Sequence, residues 1–305
     1  VIPQLPAVAE GSVVTVGSFD GVHLGHHAVL EEIARRARAA HRASVLVTFE
    51  PHPLEVVNPP AAPPLLTVDD ERREILAQTP IDYALILRFD RAVAAMPPER
   101  FVREVLLGMC GMRELVIGYD HGFGRGRSGD VDTLRRLGAE DGFAVDVVSH
   151  VDVDGQPVSS TRVRRAVAGG DLATAARLLG RPYSASGVVG RGEQRGRTIG
   201  VPTINLAGLP PQKLLPPDGV YAVHVETRHG RFGGMMNQGP RPTVQDGRRT
   251  LEAHLFGFAG DLYGERVRVE WVERLRDIRR FDSLEQLQSQ LRRDRAQAEA
   301  ALAAR

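Results

Sequence analysis

A chain of 305 residues with 42% hydrophobic and 25% charged residues is composed like a folded globular protein, and at about 150 residues per domain two domains are expected. The 39 basic and 38 acidic residues leave a formal net charge of +1, which argues against nucleic acid as a partner. Cys110 is the only cysteine, so no intramolecular disulfide forms, and no signal peptide or bilayer-length apolar run is read; a reducing cytoplasm and no membrane are expected.

The positive charge is unusual in kind. Lys213 is the only lysine, so nearly all of it is arginine. A Walker-type phosphate loop needs a lysine after its glycines, and none stands there. Any phosphate must be held by arginine, backbone N–H groups, helix N-termini or metal.

SVVTVG (Ser12 to Gly17) reads as a buried strand, and HAVLEEIARRARAA as a helix with Val29, Leu30, Ile33, Ala34 and Ala37 on one face. SVLVTF (Ser44 to Phe49) is the next strand. TVDDERREIL reads as a helix opened by a threonine cap at Thr67 and acidic residues. The alternation runs on through DYALIL, a helix around PERFVREVLL, ELVIG, a helix around DTLRRLG, and AVDVVS. Two short helices, from Ser160 and from Asp171, finish it at Gly180. This rhythm predicts an α/β doubly wound parallel sheet with right-handed crossovers.

After RPYS (Arg181 to Ser184) the pattern changes. SGVVG, GVYAVHVET, RFGGMMN, TLEAHLF and ERVRVEWVERL read as strands punctuated by Gly and Pro, and LEQLQSQLRRDRAQAEAALAA as a terminal helix. A small antiparallel β-barrel with a C-terminal helix is expected. The boundary is placed near Pro182, giving domains 1–182 and 183–305; PPAAPP (Pro59 to Pro64) is a loop inside the first.

The densest chemistry lies in GSFDGVHLGHH (Gly17 to His27), between the first strand and its helix. Ligands of open α/β sheets bind beyond the carboxyl ends of the strands, which is where this turn falls. Gly17, Gly21 and Gly25 admit close backbone approach, and the following helix offers N–H groups to an anion. If the helix begins there, His23 and His26 share a face. Zinc would need a third ligand and usually a general-base glutamate, and HLGHH is not HExxH. Phosphate contact is the better reading, ahead of solvated loop histidines. On their own, VSSTRVR (Val158 to Arg164) reads as a plain capped helix, and GRGEQRG (Gly190 to Gly196) lacks the spacing and the helix of a dinucleotide fingerprint. In LEAHLF, alternation puts Leu251, Ala253 and Leu255 on one face and Glu252 and His254 on the other.

With its HxGH core, GSFDGVHLGHH resembles the nucleotidyltransferase signature, in the form found in bacterial bifunctional riboflavin kinase/FAD synthetases. TFEPHP (Thr48 to Pro53), GYDHGFGRGRSGD (Gly118 to Asp130) and VSSTRVR are similar to further motifs of that family, in the same order. RTIGVPTINL (Arg197 to Leu206), MNQGPRPTV (Met236 to Val244), LEAHLF (Leu251 to Phe256) and the run from Asp261 to Leu287 resemble its kinase half. The resemblance spans nearly the whole chain and implies a nucleotidyltransferase-like first domain. It implies that ATP there meets Gly17, Phe19, Asp20, Gly21, His23, His26, Ser160, Thr161 and Arg164, with His23 and His26 catalytic, and that flavin meets His52, Asp120 and Phe123. In the kinase it assigns ATP to Gly190, Gly192, Arg197, Thr203 and Asn205, with Thr203 and Asn205 also on Mg2+. Flavin there falls to Asn237, Arg276 and Glu252, the last as general base. ATP is then co-substrate, riboflavin, FMN and FAD are substrate and products, and self-association is left undecided.

His121, Ile204 and Gln238 depart from the family's usual residues and keep in view a chain with only one of the two activities. A non-enzymatic regulator that binds flavin or nucleic acid is the other rival. Against it, the arginines are interleaved with acidic residues and form no basic block.

Overall fold

Short runs of β-branched and apolar residues build the strands of both halves of the chain. The structure is a computed structural model that describes residues 10–68, 70–118, 130–191, 200–240 and 249–304. The chain divides into two units, Val1–Pro64 with Arg72–Ser160, and Leu65–Glu71 with Thr161–Arg305.

In the first unit β1 (Ser12–Val16) leads into α1 (Leu24–Ala39) and β2 (Ala43–Glu50). The short helix α2 (Pro53–Val57) and then α3 (Asp70–Leu76) precede β3 (Tyr83–Arg88). Two short helices, α4 (Arg91–Ala94) and α5 (Pro98–Phe101), follow, and a π-helical turn over Val102–Leu107 leads to β4 (Met112–Gly118). The unit continues through α6 (Val131–Asp141) and β5 (Ala144–Val148) to the small hairpin β6 (Asp152–Val153) and β7 (Gln156–Pro157). The five main strands form a parallel sheet in the order β3-β2-β1-β4-β5.

Alternation along the strands supplies two cores. Val14, Val16, Val45, Val47, Leu115 and Ile117 pack with Val102, Leu106, Leu134 and Leu137 on one face. The intervening Val13, Leu46 and Val116 pack with Leu30 and Ile33 of α1 and with Ile75 and Leu76 of α3 on the other. Both faces are therefore covered, as a parallel sheet requires. The strand order reverses between β1 and β4, which puts the binding crevice of such a sheet at the carboxyl end of β1.

The second unit carries α7 (Ser160–Ala168, from Thr161 on) and α8 (Leu172–Leu179), followed by β8 (Ser184–Gly190) and β9 (Ile204–Ala207). The strands β10 (Gly219–Thr227), β11 (Gly230–Pro240), β12 (Arg249–Leu255) and β13 (Arg266–Arg276) complete a closed antiparallel barrel in the order β10-β11-β12-β9-β8-β13. The terminal helix α9 (Leu284–Ala303) is capped by Ser283, and its Leu291, Ala298 and Leu302 pack against Ala222, Met235 and Val272.

The lone lysine is structural. Lys213 Nζ donates to Leu66 O, Glu71 Oε2 and Ser184 O, each at 2.7 Å, and Glu71 Oε1 accepts from Ser186 N at 2.7 Å. Both side chains are nearly sealed from water, at 1% and 6% exposure. Gln238, unusual in its place, is also fully used. It donates to Pro216 O at 2.6 Å and accepts from Trp271 Nε1 at 3.1 Å inside the barrel.

Some elements differ from expectation. The helix of TVDDERREIL is confined to Asp70–Leu76, with Asp70 and Glu71 in its first turn. The barrel has a sixth strand, β9, because INLA pairs on both edges although PTIN has a turn-like composition. The short helix α2 is a further element beyond the expected ones; in it His52 accepts from Leu54 N and Glu55 accepts from His52 N to form a capping box.

Candidate active sites

The first site is built where β1 ends. Gly17 N donates to Val47 O at 3.1 Å, and the chain then turns through left-handed backbone at Phe19 (φ 47°), Gly21 (φ 83°) and Val22 (φ 38°). Glycine tolerates that conformation, whereas Phe19 and the β-branched Val22 hold it at a cost, a kind of strain that collects at functional sites. Phe19 and Val22 are anchored in the core under α1.

His23 is the N-cap of α1, and its Nδ1 accepts from His26 N at 3.3 Å. In its neutral form the ring therefore carries its proton on Nε2. The rings of His23 and His26 stack with centroids 3.7 Å apart, and Phe19 stacks on His26 at 4.4 Å. The first turn of α1 holds no acidic residue, while Arg36 and Arg38 lie in its last turn. Its positive end is thus left for an anion.

Backbone carbonyls of this loop are tied from several sides. Thr48 Oγ1 and Arg72 Nη1 both donate to Ser18 O, at 3.1 and 3.0 Å. Arg72 Nη2 also donates to Phe49 O at 2.9 Å. Ser160 Oγ donates to Asp20 O at 3.0 Å, which ties the last residue of the first unit to the histidine loop. Thr161 and Arg164 follow on α7 in the second unit. Thr48 opens the TFEPHP stretch, but arginine in a helix carries no signal of its own, and nothing in the spacing singles out Arg72.

The second site is a row across the barrel. Strand pairing sets Arg276 opposite Val220, Val220 opposite Asn237, Asn237 opposite Glu252, Glu252 opposite Asn205, and Asn205 opposite Gly190. Directly paired residues project to the same face of a sheet, so one level of the barrel collects most of the expected kinase residues. Leu251, Ala253 and Leu255 are buried while Glu252 and His254 are only half-buried, which turns the glutamate away from the packed interior. His254 Nδ1 lies 2.7 Å from Pro202 O, which holds the turn just before Thr203; a carbonyl only accepts, so this nitrogen carries the proton. At Gly190 a side chain would bring its Cβ to 2.9 Å from that of Ala207.

Arg276 is engaged with the terminal helix. Its Nε and Nη2 donate to the two carboxylate oxygens of Asp294 at 2.8 and 2.7 Å. The positions Asp120, His121, Phe123, Gly192 and Arg197 lie outside the described residues. Among the described residues no cluster of three or more His, Cys, Asp or Glu could hold a metal ion, and no helix is long and apolar enough to cross a membrane.

Two family models match the chain in tandem, FAD synthetase over residues 5–162 and riboflavin kinase over residues 179–302. Curated relatives named bifunctional riboflavin kinase/FMN adenylyltransferase align along nearly the full length. The protein from Escherichia coli strain K12 is 40% identical over 94% of this chain and 92% of its own. That from Pseudomonas fluorescens is 39% identical over 95% and 93%, and that from Bacillus subtilis strain 168 is 32% identical over 94% and 91%. A solved structure described as a macrolide-efflux protein from Streptococcus pneumoniae superposes with a TM-score of 0.85 at 31% identity, covering 96% of this chain and 95% of that one.

Proposed function

The chain belongs to the bifunctional riboflavin kinase/FMN adenylyltransferase family, and from that premise we propose which residues carry each reaction. The enzyme phosphorylates riboflavin with ATP to FMN and ADP, and adenylylates FMN with a second ATP to FAD and pyrophosphate. We assign residues 1–182 to the adenylyltransferase and 183–305 to the kinase, a division supported by the ranges of the two family matches.

In adenylyl transfer an FMN phosphate oxygen attacks the α-phosphorus of ATP and pyrophosphate leaves. No enzyme nucleophile is needed, so positioning and charge stabilisation carry the rate. His23, with Nε2–H as its donor, and the stacked His26 contact the phosphates and stabilise the charge that develops there. The loop from Gly17 to Gly21 gives the nucleotide close backbone approach. Ser160, Thr161 and Arg164 hold the pyrophosphate at the start of α7, while His52, Asp120 and Phe123 receive the flavin.

In the kinase, Glu252 takes the proton of the ribityl 5′-hydroxyl as that oxygen attacks the γ-phosphorus. Mg-ATP is the substrate form. The Thr203 hydroxyl and the Asn205 amide oxygen are hard donors that suit magnesium, and Asn205 pairs directly with Glu252. Gly190, Gly192 and Arg197 complete the nucleotide side. Asn237 faces the flavin, and Arg276, held by Asp294, supports that side. The assignment rests most heavily on the cross-strand row that brings Asn237, Glu252, Asn205 and Gly190 to one level. The reading places the enzyme in the cytoplasm, with neither nucleic acid nor membrane as partner.

Chromatography of the flavins made by two variants tests it. Glu252→Gln should lower FMN formation by about 10²–10⁴-fold while added FMN still becomes FAD. His26→Ala should do the reverse, lowering FAD formation by roughly 10²–10³-fold with riboflavin still phosphorylated. A Glu252→Gln enzyme that makes FMN at the parent rate removes Glu252 as the base.

A further inference from the structure

Arg72 lies on α3 with a nearly buried side chain, 8% of the residue being exposed. Its guanidinium donates to two carbonyl oxygens, Ser18 O and Phe49 O, and the nearest carboxylate, Glu50, is 4.0 Å away. Burial pushes its pKa down, against the pull of Glu50 and Asp20. A desolvated cation held mainly by neutral carbonyls is a costly way to fill space, since an apolar side chain of similar volume would pack there without the penalty.

What the arginine adds is a fixed geometry. It joins the end of β2, at Phe49, to the loop after β1, at Ser18, and Thr48 clamps the same Ser18 carbonyl from β2. The next residue is Phe19, in left-handed backbone, whose ring stacks on His26, which stacks in turn on His23. A small rotation of the Ser18–Phe19 peptide would carry the whole stack with it.

We propose that Arg72 is a positioning residue for adenylyl transfer, pinning the Ser18 carbonyl so that the Phe19–His26–His23 stack stands in its working geometry. It acts through the loop and not on the substrate, and the inference rests on the assignment of His23 and His26 to the reaction.

The test uses the full chain carrying Arg72→Met, Arg72→Lys or Thr48→Val, with kcat and KM measured for FAD formation from FMN and ATP. Riboflavin phosphorylation in the same preparations serves as the control for folding. Arg72→Met should lower kcat about tenfold or more, with the KM for ATP within roughly threefold of the parent and FMN formation unchanged. Arg72→Lys, whose ammonium can still donate to both carbonyls, should recover most of the loss. Thr48→Val, which deletes the other bond to Ser18 O, should cost a few-fold in kcat. If Arg72→Met is too unstable to assay, the Thr48→Val variant decides.

Parent kcat in Arg72→Met, or parent kcat in Thr48→Val where Arg72→Met cannot be assayed, overturns the proposal. So does an equal loss in both reactions, which marks a purely structural role. His26→Ala is run alongside. If that variant still makes FAD normally, the assignment of the stack has failed; if it does not and Arg72→Met does, only the inference about Arg72 has.

Discussion

Replacing Lys213 with methionine probes the interior of the second unit. The Lys213 side chain is 1% exposed and its ammonium donates to three oxygens at 2.7 Å, one of them on the Glu71 side chain, itself 6% exposed. Methionine fills most of the volume but leaves the Glu71 carboxylate buried beside the backbone N–H groups of Ser186 and Val68. Removing one partner of a buried pair costs about 3–5 kcal/mol. At roughly 2–4 °C per kcal/mol for a unit of this size, the midpoint of its thermal transition should fall by about 6–20 °C. Trp271 is the only tryptophan, is buried in the barrel and packs tilted against Tyr183 with ring centroids 5.8 Å apart, and Lys213 sits 4.6 Å over the Tyr183 ring. Its fluorescence therefore reports this unfolding directly. Adding Glu71→Gln should restore part of the loss, because the amide is neutral and its oxygen still accepts from Ser186. A loss below about 1 kcal/mol in Lys213→Met, or a double variant worse than the single one, would refute the reasoning.

Two further outcomes are expected. Gln238→Leu strands the Trp271 indole N–H and the Pro216 carbonyl inside the barrel and should cost about 2 kcal/mol or more by the same fluorescence signal; unchanged stability would show that those groups find other partners. The Cys110 thiol is pushed up from 9.0 to about 12 by burial, so iodoacetamide at pH 8 should leave it unmodified in the folded chain and label it after unfolding. Below pH 9 the contribution of the buried thiol to stability is fully present, and between pH 9 and about 12 the unfolded thiol ionises first and stability falls. Titration of denaturant midpoints across that range, against Cys110→Ala, measures it.

The alternation of apolar runs with helical faces was enough to read the parallel sheet, because each strand of a two-sided core is apolar nearly throughout, as Val13, Val14 and Val16 of β1 are. The barrel was legible from period-two strands such as LEAHLF, in which Glu252 and His254 separate from Leu251 and Ala253. What local pattern does not carry is pairing. Nothing near INLA marks it as the strand between β8 and β12, so the level shared by Asn205, Glu252 and Asn237 emerges only from the register. The same holds for side chains that act on distant backbone. Arg72 meets Ser18, and Gln238 meets Pro216, through contacts that span many residues and leave no trace in spacing. His23 shows the opposite case. Its place just before an apolar-faced helix already pointed to the helix start, and the structure adds that it caps that start and stacks on His26.

The most direct test of two sites in one chain is to incubate the purified protein with riboflavin and Mg-ATP and follow the flavins by chromatography over time. FMN should rise first and FAD after it, with His26→Ala halting the sequence at FMN. If neither FMN nor FAD is made, or if His26→Ala abolishes both, the account of two separate catalytic sites is contradicted.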